Sequence, residues 1–352
     1  MLIHEPLTPP APSPIITSAD HLRACSDGNG NIYAVWAQVW LYPGENPFFP
    51  IEVPEIYLAA SHDGGQSYSA AVNISQEENG LVPAVACHAG GQVIIGFYDP
   101  SDTDRGFWYR VSTDYGLSFG PRARIPRSPE MATEASWTDL TFLEDGSLAA
   151  AWEAARTGDF NSEVFAAHSG DHGSTWTEPV NISLDPAHSQ HPSIAANSDG
   201  RILVAWEDSR EAYFHVYGRV FDPREQEWSM EIRRLSWEDS SDQTFTESAL
   251  SPALAAGPHD EFWITWVDGF HRFEPSYRVG FVTRDAQLVQ GKVRHVVGGR
   301  VLDGYTGTFQ SSVASAAGRA IGIAWDACPQ LYCVSDSTRV YFRLLQKPAR
   351  SR

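Results

Sequence analysis

Between His191 and Arg210 the chain reads HPSIAANSDGRILVAWEDSR. Apolar side chains alternate at Ile194 and Ala196, Ser198-Asp199-Gly200 supplies turn chemistry, and Ile202, Val204 and Trp206 alternate again before a polar run. Period-two alternation on both sides of a Gly-containing turn predicts two short strands in a hairpin. The same pattern returns at GNIYAVW (ending in Trp36), GQVIIGF (Phe97), GSLAAAW (Trp152), EFWITW (Trp266) and RAIGIAW (Trp325), at intervals of 54 to 61 residues. Six near-equal units fill the chain.

A repeat of this length is long for a solenoid rung and suits a four-stranded propeller blade. Behind each inner pair the pattern predicts a third strand, as at 55–60 or 162–168, then a compact turn, then a fourth strand such as 179–183. Three of the turns, Ser61 to Tyr68, Ser112 to Phe119 and Ser169 to Trp176, share the spelling S-x-D-x-G-x-x-aromatic. The Asp carboxylate can accept from backbone N–H groups that no strand partner reaches, Gly tolerates positive φ, and the aromatic tucks under the sheet. In these turns the sequence resembles the Asp-box (bacterial neuraminidase repeat) propellers, whose best-known members are the sialidases. The resemblance implies a carbohydrate-active propeller in which Asp63, Asp114 and Asp171 are structural.

The fold expected is therefore all-β: a single six-bladed β-propeller of four-stranded antiparallel blades at about 20–75, 76–127, 128–183, 184–236, 237–298 and 299–345. Residues 14–18, PIITS, copy the fourth-strand pattern of PVNIS at 179–183, and the last blade runs out of sequence after its third strand. An N-terminal strand completing the last blade would remove two exposed sheet edges at once. In the fourth blade FDPREQEW, at 221–228, stands in place of the box through a longer turn.

With 42% hydrophobic residues and 12 Trp the chain can fill such a core, and a net charge of −19 without any Lys/Arg run argues against a nucleic acid partner. Nothing is apolar for long enough to predict membrane insertion. The N-terminus lacks the basic start and apolar run of a secretory leader, so the protein is expected to be cytoplasmic, or exported with its leader removed. Of four cysteines, Cys328 and Cys333 flank a short loop that a disulfide could close, whereas Cys25 and Cys87 read as buried reduced thiols. No metal-ligand spacing and no cofactor motif appears. Asp99, Asp102 and Asp104 form either a solvated acidic loop or a Ca²⁺ site.

Strand direction sorts the loops. Those entering first strands and leaving second strands share one face, and the Asp boxes lie on the other. The first set collects Asp20, His21, Arg23, Glu134, Trp137, Asp139, His188, His191, Glu153, Arg156, Glu207, Asp208, Arg210, Asp268, His271, Arg272 and Tyr305, an interleaving of carboxylates, guanidiniums and aromatics that suits a glycan. WEAAR at 152–156 and WEDSR at 206–210 repeat W-E-x-x-R. Arg156, Arg210 and Arg272, with Arg23, either converge to grip a substrate carboxylate or pair with their own blades' acids to stiffen loops. Glu207, Asp208 and Trp137 are further candidates for substrate binding.

Glycoside cleavage asks for two carboxylates, or in sialidase-like sites an activated Tyr with a separate acid. Glu134 or Asp139 is the candidate for acid or base duty, with Tyr305 or His191 assisting. Sialidases carry an R-I-P motif at the first blade; Arg124-Ile-Pro126 spells it, but in a fourth strand at the rim of the second blade. The leading expectation is an exo-acting glycoside hydrolase on an acidic glycan at the axial mouth. A lyase on uronic-acid sugars, with His191 and Tyr305 as base and acid, and a lectin or protein-binding propeller are the alternatives.

Overall fold

The computed structural model describes residues 18–42, 51–76, 79–158, 161–211, 213–236, 248–257, 260–271, 274–282, 294–297, 306–316, 320–328 and 339–346, with residues 18–20, 41–42, 51–52 and those from 268 onward described by backbone alone. Every regular element among them is a β-strand, and the strands form six antiparallel sheets taken in chain order. The first holds β1 (Ser18–Ser26), β2 (Ile32–Tyr42), β3 (Ile51–Ser61) and β4 (Val72–Asn73); the second, β5 (Leu81–Cys87), β6 (Val93–Asp99), β7 (Gly106–Ser112) and β8 (Ala123–Arg124). The third holds β9 (Ser136–Phe142), β10 (Leu148–Ala155), β11 (Ser162–Ser169) and β12 (Val180–Asn181). In the fourth, β13 (Ser189–Ala196), β14 (Ile202–Asp208) and β15 (His215–Asp222) are followed by β16 (Glu227–Trp228) and β17 (Arg233–Arg234), both paired to β15. The fifth contains β18 (Ala249–Ala256), β19 (Phe262–His271), β20 (Glu274–Val282) and β21 (Arg294–Val297), and the sixth β22 (Thr306–Ala316), β23 (Ala320–Cys328) and β24 (Arg339–Gln346).

First strands meet first strands: β1 packs on β5, β5 on β9, β9 on β13, β13 on β18, β18 on β22 and β22 on β1. This is the propeller arrangement, with the hydrophobic core divided into seams between neighbouring sheets. The repeat aromatics anchor the seams, since Phe97, Trp152, Trp206 and Trp266 are fully buried and Trp36 nearly so. Burying each ring and the β-branched residues beside it is what makes two-faced sheets stable here.

The S-x-D-x-G turns are built alike. At 169–175 the Ser169 hydroxyl donates to Asp171 Oδ1 (2.7 Å), the Thr175 amide to the same oxygen (2.8 Å), the Thr175 hydroxyl to Oδ2 (2.7 Å), and the Gly173 amide to Ser169 Oγ (2.8 Å). Asp63 and Asp114 repeat the pattern with Ser61 and Ser67, and with Ser112 and Ser118. These donors pull the Asp114 and Asp171 carboxyls down to about 2. Each turn abuts the inner hairpin of a sheet, as where His172 Nδ1 meets the Gly146 carbonyl at 2.7 Å. The turns therefore lie at the end of the sheets where first strands finish.

Three expectations change. Cys25 and Cys87 are not free thiols: they form a disulfide joining β1 to β5, with Cα atoms 6.0 Å apart. The turn at 221–228 is no longer than the S-x-D-x-G turns; Phe221 pairs directly with Trp228, as β16 folds back on β15. Ser18 opens β1, paired with Val39, rather than ending an N-terminal clasp. The rest of that clasp, 14–17, and Cys333 lie outside the described residues.

Candidate functional site

At one height in all six inner strands the pairing with the second strand slips: between Asp20 and Arg23, Leu81 and Ala84, Ser136 and Asp139, Gln190 and Ser193, Leu250 and Ala253, and Gly307 and Ser311. In five of them a non-glycine residue at the slip has positive φ: His21 (58°), Val82 (47°), Trp137 (38°), His191 (51°) and Ser251 (51°). Across from each lies the buried aromatic of its own sheet, Trp36, Phe97, Trp152, Trp206 or Trp266. Such backbone costs on the order of 1–3 kcal/mol per residue and persists only where neighbours hold it.

At His191 and Ser251 the holding groups are the glutamates of the two Trp-Glu pairs, each serving the next sheet. Glu153 Oε2 accepts the His191 amide (2.9 Å) and Glu207 Oε1 accepts the Ser251 amide (2.7 Å). Glu207 also takes His191 Nδ1 at 3.1 Å and the Gln190 amide nitrogen at 2.9 Å. Burial, with the charge of Glu207 added, pushes the Glu153 carboxyl up. Burial alone would lower the His191 imidazole, but the hydrogen bond and charge of Glu207, with Glu153 behind it, prevail and raise it.

The slips turn three rings toward one another. Trp137 stands edge-on to His191 with centroids 4.4 Å apart, and His21 meets the same indole at 5.7 Å. Below them is a cavity of about 400 Å³ running down the first strands, with Arg23, Trp137, Asp139 and His191 in its wall. Asp139 accepts from the Ser193 hydroxyl and the Ile194 amide, both at 3.0 Å, and from its neighbour's amide at Leu140. Burial raises its carboxyl, opposed by the Ile194 amide and by the charge of Arg23. A protonatable acid, a cation and an aromatic wall thus share one hollow.

Other candidates go elsewhere. Glu134 is bound by Arg124 (2.9 Å) and Arg127 at the rim of the second sheet, away from Asp139. Arg124 itself lies in β8, where the R-I-P spelling was expected to fall. Arg156 pairs with buried Glu163 at 3.1 Å. Arg210 grips Asp208 in two hydrogen bonds (2.8 and 2.6 Å), reaches Asp185 at 3.3 Å and stacks over Tyr217. Neither arginine lines the cavity, so the loop-stiffening alternative describes both, and Asp208 serves Arg210, Trp206 Nε1 and the Ser189 hydroxyl. Asp102 pairs with Arg105, while Asp99 and Asp104 flank Arg122, so arginines match the acidic loop. Tyr305 and Arg272 lie outside the described residues. The roles of Glu153 in holding the slip and of His21 against Trp137 were not legible as such; the signal for the first was that each Glu follows the repeat aromatic by one residue.

No family model and no curated protein matches the sequence. Solved structures do match in fold. A protein of unknown function from Dyadobacter fermentans superposes with a TM-score of 0.66 at 12% identity, covering 94% of this chain and 95% of that one. The intramolecular trans-sialidase from Ruminococcus gnavus, in complex with oseltamivir carboxylate, gives 0.62 at 9% identity over 93% and 94%. The GH93 α-L-arabinofuranosidase of Fusarium graminearum with arabinobiose gives 0.58 at 13% identity over 94% and 93%. At such identities the likeness is one of fold.

Proposed function

We propose that the chain is a six-bladed, sialidase-like propeller closed by a strand from 14–17, and that it cleaves an acidic glycan at the axial mouth as an exo-acting glycoside hydrolase. The observation that carries this reading is the convergence of His21, Trp137 and His191 above a hollow walled by Asp139 and Arg23. Trp137 offers a flat apolar face to a sugar ring, Arg23 and protonated His191 attract its carboxylate, and Asp139, held toward its neutral form, delivers the proton to the leaving oxygen. Tyr305 and Arg272 stay assigned to the mouth on sequence grounds. The sugar-processing neighbours lend support to the substrate class. The Cys25–Cys87 disulfide supports residence in an oxidising compartment.

The test is turnover of fluorogenic glycosides of sialic and uronic acids. Asp139→Asn should lower kcat by roughly 10²–10⁴-fold, the usual worth of a positioned acid, with KM nearly unchanged. Equal turnover by the variant, or none by the wild type on any acidic glycoside, overturns it. One observation favours elimination as the second reading: Glu207 fixes His191 Nδ1, and Nε2 has no hydrogen bond among the described residues, the disposition of a base. Growth of ultraviolet absorbance from an unsaturated product would then replace hydrolysis.

A further inference from the structure

Away from the mouth, the seam between the third and fourth sheets contains a second cavity, of about 130 Å³, walled mainly by Ala149, Ala166, Ile202, Phe221 and Trp228, with the polar residues His168, Thr177, Glu178 and Gln226 completing its lining. Its origin can be read from the repeat. Tyr109 pairs with Gly96 in the second sheet and Leu58 with Val35 in the first; the matching position of the third sheet, paired with Ala151, is Ala166. Leu58 closes its seam against Gly116. Tyr109 closes the next: its hydroxyl donates to the Gly173 carbonyl at 2.6 Å and accepts the Trp176 indole N–H at 2.9 Å, the two rings standing edge to face. In the fourth sheet the matching residue is Gly218, and Leu235 occupies the space a side chain would take there. At the third sheet the same space has an alanine, while Trp228 stands eight residues into its turn as Trp176 does.

We infer that this seam is a binding site for one small phenolic ring, the group that Tyr109 supplies from within the chain one seam earlier. Three features suit that ligand. The volume matches a single six-membered aromatic ring, since an apolar cavity of ~150 Å³ accepts benzene. Phe221 and Trp228, 5.5 Å apart and edge to face, give an aromatic wall of the kind Trp176 presents to Tyr109. The His168 imidazole, half-buried beside Phe221, makes no hydrogen bond through either ring nitrogen among the described residues and provides an acceptor for the phenol hydroxyl; burial lowers its basicity. A purely aliphatic ligand would leave that acceptor unused, and a sugar ring would bring several hydroxyls against alanine, isoleucine and aromatic side chains.

The experiment is titration of the full chain with 4-methylphenol, followed by calorimetry and by tryptophan fluorescence, with toluene and methyl glucoside in parallel. Expected is saturable one-to-one binding with a dissociation constant on the order of 1 mM, at least threefold weaker for toluene and absent for the glucoside. Ala166→Tyr, which restores the residue of the preceding sheet, should abolish binding and raise the melting temperature, and Ala166→Leu serves the same purpose if the larger ring is not accommodated. His168→Phe should keep the ring but erase the preference for phenol over toluene. Absence of saturation by 4-methylphenol, or equal binding by both filled variants, overturns the inference. Glycoside turnover at the mouth is unaffected by either outcome.

Discussion

Glu207 uses one carboxylate for three tasks: it takes the Ser251 amide, the Gln190 side chain and His191 Nδ1. Replacing it by Gln keeps the shape and removes the charge. Because His191 is raised in the folded protein, its pairing stabilises fully below the ordinary histidine value and fades as pH climbs through the raised one. Glu207→Gln should therefore cost about 1.5–3 kcal/mol at pH 6, the range for a hydrogen bond to a charged group, and distinctly less at pH 9. Urea titrations at the two pH values measure this; a gap that fails to narrow with pH refutes the pairing. The same residue shows where sequence reading reaches its limit. Strand direction placed Glu134, Arg156, Arg210 and Glu207 in loops of one face, but a loop position does not say which way a long side chain turns. Arg210 had Asp208 two residues away and took it, and Glu134 had two arginines at the adjoining rim. Local partners won, as they do for guanidiniums that can bond in a fork.

At the scale of a strand, alternation and the Trp rhythm made the inner hairpins legible, and the spelling S-x-D-x-G did the same for the turns, since both are local signals. The slips were not, because a break in register leaves the hydrophobic pattern on either side intact. A trace existed: Val82, His191 and Ser251 each precede a proline, the residue that gives no N–H to a ladder. The buried ring across the slip is what the element depends on. Trp206→Ala should destabilise by about 3–5 kcal/mol, measured by chemical denaturation, and should also loosen His191 on the opposite strand. A loss below 1 kcal/mol would mean that the seam closes around the gap and that the aromatic rhythm has another cause.

In the whole molecule each sheet touches its two neighbours, so a link between sheets acts on the ring rather than within a layer. Cys25 and Cys87 are separated by 62 residues, one repeat, on adjoining first strands. The spacing held that information, but pairing needed the ring geometry, which makes neighbours of strands that never share a ladder. By chain entropy a bridge closing a loop of this size contributes about 4 kcal/mol. The Cys25→Ser/Cys87→Ser double variant should accordingly melt well below the wild type, and alkylation of the unreduced protein should leave both cysteines unmodified. Labelling of both in the oxidised protein would refute the bridge.

The recurrence of the slip at one height has a consequence for how such a protein can change. Behind each of the five positive-φ lip positions stands a tryptophan or phenylalanine that belongs to the frame, and the twisted backbone there already accepts a histidine, a valine, an indole or a serine. The lip is thus a set of interchangeable sockets, and a new specificity can be composed one socket at a time while the frame stays as it is.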